Sequence, residues 1–219
     1  MVDIELQRLI IGADYLNNKG LLYGKMGLVL TLYQISRKKN LQVLYDFADS
    51  LVKNIIESIT KFDNYDFAYG LCGIGWSLEY LIHNRFVEGD SLSICECLDE
   101  SIMKINPNRL DHSLEHGIKG FLHYVLAHIY NCNNQRGITP FDEVFLHEVK
   151  CACKTVSANT KDFELTNLCS CFLNFASEEK ITYCYDINSF ILEPDKEEII
   201  ENDLSLRTGL SGKILLNIL

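Results

Sequence analysis

The sequence predicts an all-α protein, an α/α toroid or an open arc of one, assembled from helical hairpins. Three observations carry that prediction. A Gly-x-x-Gly motif recurs as Gly24 and Gly27, Gly70 and Gly73, Gly117 and Gly120, and Gly209 and Gly212. Its first glycines lie 46, 47 and 92 residues apart, the last interval twice the others, so a unit of roughly 46 residues recurs about five times. The fourth unit is read as degenerate, with Asn167-Leu168-Cys169-Ser170 where its glycines are expected. Each motif also leads into an apolar stretch and then an amphipathic one, the pattern of an inner helix followed by an outer helix.

In chain order, residues 2–17 space Ile4, Leu6, Leu9, Ile10 and Ala13 as an amphipathic helix, and Asn17-Asn18-Lys19-Gly20 ends it. Leu28 to Ile35 is apolar all round and stops at the basic cluster Arg37-Lys38-Lys39, whose charge suits a helix C-terminus. Residues 41–60 return as an outer helix. Trp76 to Ile82 is the second inner helix, and Asp90 or Ser91 caps an outer helix running to about Ile105 before Pro107. Phe121 to Tyr130 is the third inner helix. Pro140 is placed in the first turn of the next outer helix, where a missing N–H costs nothing. Phe172 to Ala176 is expected as the fourth inner segment. Ile181-Thr182-Tyr183-Cys184-Tyr185 alternates like a short strand, Pro194 to Ile200 reads as a stubby helix start, and Ile214 to Leu219 is a final apolar helix. Three prolines and no low-complexity linker predict one domain over residues 1–219.

Composition narrows the function classes. With 219 residues, 47% of them hydrophobic, the chain is long enough to bury a sizeable core. Its formal charge of −10 argues against a nucleic-acid groove, which needs a basic face. No stretch has the length of a membrane span, and the opening Met1-Val2-Asp3-Ile4-Glu5 lacks the basic-then-apolar order of a signal peptide, so a cytoplasmic protein is expected. Six of nine cysteines form Cys-x-Cys pairs: Cys95 and Cys97, Cys151 and Cys153, Cys169 and Cys171. Residues two apart on a helix point to nearly opposite sides, so such a pair does not chelate one ion, and mostly buried free thiols are expected.

The run Tyr65-Asp66-Phe67-Ala68-Tyr69-Gly70-Leu71-Cys72-Gly73-Ile74-Gly75, with Leu114-Glu115-His116-Gly117-Ile118-Lys119-Gly120, resembles the lanthionine synthetase cyclases and the LanC-like proteins. The resemblance spans nearly all five units. It implies an α/α toroid and a role in peptide natural-product maturation. Enzymes of that family close thioether rings by adding a peptide cysteine thiolate to a dehydrated serine or threonine. A zinc ion held by a Trp-Cys-x-Gly and a Cys-His-Gly motif activates the thiol.

Those ligand motifs are not matched here. By chain order their places fall to the unit around Asn167 and to Leu206-Arg207-Thr208-Gly209; in the alternative register they fall to Ala68 and to Glu115 beside His116. No zinc is expected at such a set, because one His and one Glu neither balance the ion's charge nor complete its shell. The resemblance does carry over Asp66 and His116 as an acid/base pair. Tyr69, Glu79, Glu115 and Arg207 are placed near the same motif ends as binders of polar peptide groups. His123, two turns along from His116, is expected to line the same cavity, whereas His83, His112 and His147 are read as surface residues.

Three functions follow. The preferred one is a non-catalytic module, a pseudoenzyme that binds a peptide substrate or a peptide-maturation enzyme. The others are a divergent cyclase working through His116 and Asp66, and a self-assembling helical scaffold, with a homodimer as its simplest form.

Overall fold

The computed structural model describes residues 4–59, 64–177, 180–192 and 203–219. Among them all regular structure is helical and no strand occurs, so the protein is all-α as expected. The helices are α1 (Ile4–Gly12), α2 (Lys25–Lys39), α3 (Gln42–Ile56), α4 (Leu71–His83), α5 (Ser91–Ile102), α6 (Ile118–Arg136), α7 (Glu143–Asn159), α8 (Phe163–Phe175) and α9 (Leu210–Ile218). No helix of the described residues is long and apolar enough to cross a membrane.

The helices pack as two compact units. Unit 1 takes the described residues up to 59, residues 68–70 and those from 186 onward; unit 2 takes 64–67 and 71–185. In unit 1, α2 packs on α3 and α9, and α1 on α9. In unit 2, α4 packs on α5 and α6, α6 on α5 and α8, and α7 on α8. Helices α2, α4 and α6 are buried nearly all round, which is why their sequences show little amphipathic pattern. Trp76, Ile74 and Leu81 of α4 are fully buried, each worth about 1.5–3 kcal/mol of apolar transfer.

Each glycine motif begins a helix, and the glycines serve close approach rather than a left-handed backbone. Gly24, Gly117 and Gly209 are the N-caps of α2, α6 and α9 with φ of −134°, −104° and −106°. A Cβ on Gly120 would lie 2.1 Å from the Leu114 carbonyl oxygen and 2.3 Å from Phe67 Cβ. Gly27 and Gly212 press in the same way on the carbonyls of Leu21 and Leu206. Gly137, with φ +67°, is the left-handed glycine, and it ends α6.

An Asn or Asp six residues before each first glycine completes the start. Its side chain accepts the N–H two residues on: Asn18 from Gly20 at 2.7 Å, Asn64 from Asp66 at 3.0 Å, Asp111 from Ser113 at 2.8 Å and Asp203 from Ser205 at 2.8 Å. Its backbone carbonyl accepts the first helical N–H, from Lys25, Leu71, Ile118 and Leu210 respectively, at 2.7–3.0 Å. One orphan donor of each helix start is thereby satisfied by a loop that closes on itself.

Several expectations are corrected. The fourth unit has no such loop: Asn167 and Ser170 lie within α8, which starts at Phe163 under an Asp162 cap whose carboxylate accepts the Leu165 N–H at 3.1 Å. The fourth inner segment is therefore the second half of a longer helix. Residues 180–186 form no strand; their alternation instead sends Tyr183 and Tyr185 to partners inside unit 2. Pro140 precedes the Asp142 cap of α7 and lies outside that helix. Helix α1 stops at Gly12, short of residue 17. The helix start read at 194–200 lies outside the described residues.

Candidate functional site

The loops before α4 and α6 meet in unit 2 where the Phe67 N–H donates to the Glu115 carbonyl at 2.9 Å. That bond fixes the neighbouring side chains. His116 Nδ1 lies 2.9 Å from Asp66 Oδ2. Asp66 is in turn held by Asn64, whose amide donates to the same carboxylate oxygen at 3.0 Å. A carboxylate oxygen only accepts, so Nδ1 carries the hydrogen and Nε2 turns away from Asp66, 3.9 Å from Glu115 Oε2. The His116 side chain is 54% exposed and that of Asp66 is 13% exposed. An oriented imidazole at the surface results, one edge tied down and the other presented.

This pair stands at a cleft of about 300 Å³ with apolar walls from Phe67, Ile105, Leu110 and Phe121. Cys72 also lines it. Burial, with a further push from the Asp66 charge, raises the Cys72 thiol well above its ordinary range, so it stays protonated and packs as a small apolar group. A few polar groups on an otherwise apolar cleft are the general make-up of a ligand pocket.

The comparison with known families decides the kinship: the model for lanthionine synthetase C-like protein matches residues 5–145, more than half of the chain. The chain belongs to that family. No curated protein and no solved structure matches it.

The family's zinc does not fit the motif positions of this LanC-like chain. Ala68 has no donor atom, and His116 Nδ1 is engaged by Asp66. Asp66, Glu115 and His116 do not offer three donor atoms mutually within 4.8 Å. Asn167 and Ser170, the other candidate position, are exposed in mid-helix. No step is derived through a metal at this cleft.

The other residues chosen from sequence separate. Glu79 is not at a motif end: it is wholly buried in α4, where the side chains of Ser91 and Asn131 donate to its carboxylate and His128 Nδ1 lies 2.7 Å away. His123 does not line the His116 cleft. It is buried in α6, Nδ1 2.8 Å from the Tyr183 hydroxyl and Nε2 3.4 Å from Glu164. The same Tyr183 oxygen accepts from Trp76 Nε1 at 2.7 Å. Burial lowers the His123 pKa and favours the neutral ring. Tyr69, stacked on Tyr23 at 5.1 Å, and Arg207, donating to the Phe190 carbonyl at 2.9 Å, belong to unit 1. His83, His112 and His147 are exposed as read.

His128 was not singled out in the sequence, where it is one polar residue on the apolar third inner helix. Both ring nitrogens face carboxylates: Nδ1 to Glu79 at 2.7 Å and Nε2 to Asp99 at 2.8 Å. Burial opposes charge on the ring, but hydrogen bonds to Asp99, Cys132 and Glu79 outweigh it and push the pKa up to about 12. Asp99 is driven upward by burial and drawn back by His128 and Tyr124. The available signal was one acidic residue, Glu79, on an inner helix read as apolar.

Proposed function

We propose that this LanC-like chain is a peptide-binding module of thioether-peptide maturation rather than a self-sufficient cyclase, with the Asp66–His116 cleft of unit 2 as the peptide's anchor. One observation carries the reading: the family's acid/base pair is assembled at 2.9 Å beside an apolar cleft, while the ligand positions around it offer no zinc shell. Glu115 and His116 hold polar or charged groups of the peptide, and Phe67 and Phe121 hold its apolar side chains. Tyr69 and Arg207 are assigned to contacts with the peptide or with a partner enzyme. Nine free cysteines suit a reducing compartment, and we place the protein in the cytoplasm.

A second reading has a specific observation in its favour. Asp66 orients His116 as an acid/base group, which is what a divergent cyclase without this zinc would need. Binding and turnover of a dehydrated, cysteine-containing peptide separate the two. The module reading expects binding that weakens about tenfold or more in His116→Ala and Asp66→Ala, the scale of a lost charge-assisted hydrogen bond, with no thioether formed by the chain alone. Thioether formation abolished by His116→Ala would establish the enzyme instead.

A further inference from the structure

Unit 2 gathers a set of metal-ligating side chains that does not line the Asp66–His116 cleft. Glu79 of α4, Cys95 of α5 and His128 of α6 are fully buried, and one donor atom from each lies within 4.8 Å of the others. Cys95 Sγ is 3.3 Å from Glu79 Oε1, and Cys132 Sγ, one turn along α6, is 3.6 Å from His128 Nδ1. We propose that Glu79, Cys95 and His128 are the protein ligands of a structural zinc site that ties α4, α5 and α6 together, with Cys132 beside it as a neighbouring thiol.

The donor chemistry selects the ion. Thiolate, imidazole and one carboxylate suit zinc and disfavour magnesium or calcium, which need all-oxygen shells. The dimensions agree as well. Zinc bonds of about 2.0–2.3 Å give ligand–ligand edges of roughly 3.3–3.7 Å, so the close Glu79–His128 pair opens by about 1 Å or less.

The surrounding groups are those a metal-bound histidine and glutamate require. Asp99 faces His128 Nε2 at 2.8 Å, fixing the hydrogen there and leaving Nδ1 to bind the metal. The Tyr124 hydroxyl holds Asp99 at 2.6 Å, and Asn131 donates to the second oxygen of Glu79. Because every one of these residues is buried, the shell is closed to substrate, and the role is structural rather than catalytic.

The test uses the full chain expressed with added zinc, or with cobalt as a spectroscopic substitute. One metal per chain is expected, with thiolate-to-cobalt charge-transfer absorption, a sulfur-containing shell by X-ray absorption, and a thermal midpoint that falls on chelation. Cys95→Ser, which preserves size, should weaken the charge-transfer band and shrink the chelator effect, whereas His116→Ala should retain both. A folded wild-type chain that takes up no metal, or a shell without sulfur, overturns the proposal without needing any variant. Metal lost in His116→Ala and unchanged in Cys95→Ser also overturns it, and would place the ion at the cleft, against the proposed function. Metal lost only in Cys95→Ser, with peptide binding absent throughout, would instead sustain the site and sink the module reading.

Discussion

Asp111 grips the start of α6 twice: its carbonyl accepts the Ile118 N–H at 2.7 Å while its carboxylate accepts the Ser113 N–H at 2.8 Å. This loop carries His116, so its stability and the posture of the acid/base pair are linked. Asp111→Ala should cost about 1 kcal/mol, the scale of a lost helix cap, while Asp111→Asn keeps most of it. Urea unfolding of the two variants checks this; equal losses would show that the side-chain acceptor is not what matters.

Gly120→Ala should be severe. The added carbon meets the Leu114 carbonyl oxygen at 2.1 Å and Phe67 Cβ at 2.3 Å, neither of which is a flexible side-chain end. A loss of about 1–3 kcal/mol or more is expected, and Gly117→Ala, 2.4 Å from the Asp111 carbonyl oxygen, should behave alike. Thermal midpoints at the wild-type value in both variants would refute the close-approach account of the motif.

Removing the imidazole of His128 should leave Glu79 and Asp99 buried without their cation. His128→Leu is expected to lose about 3–5 kcal/mol, far more than the change in apolar area implies. Chemical denaturation with metal removed by chelator isolates this effect, and a loss under about 1 kcal/mol would show that the carboxylates are stabilised by other groups.

Acid should weaken unit 2 through Glu164. The His123 ring, its Nε2 3.4 Å away, and Lys119, whose Nζ lies 2.6 Å away, outweigh burial and hold the Glu164 carboxyl at about 2, below its ordinary value of 4.5. A depressed folded-state pKa means a contribution present above about pH 4.5 and lost as pH falls through about 2. Wild type should therefore exceed Glu164→Gln in stability at neutral pH, with the gap closing across that interval. A gap independent of pH would assign the effect to packing.

Much of the fold was legible because the repeat is written in backbone terms. Glycines at 24, 70, 117 and 209 mark helix starts, and at 24, 117 and 209 a close approach of chain to chain excludes any side chain at that point. Asn18, Asn64, Asp111 and Asp203, at one fixed offset, were equally readable and were passed over. Asp66 and His116 were found through resemblance, and the Phe67–Glu115 backbone bond explains why their loops meet.

The side-chain partnerships are different in kind. Alternation at Ile181–Tyr185 looks the same whether it serves a strand or a segment docking its tyrosines on Trp76, His123 and Ala127, because the local pattern does not contain the partner. Glu79 on an apolar helix reads equally as a polar rim or a buried ion. Its neighbours Cys95 and His128, 16 and 49 residues away, are chosen by how α4, α5 and α6 pack. Local sequence by itself determined where helices begin and which are covered, since turns and burial patterns act over a few residues. Only the tertiary structure decided which charged and thiol groups share a site, since desolvation and hydrogen bonding act between atoms that the fold alone brings within reach.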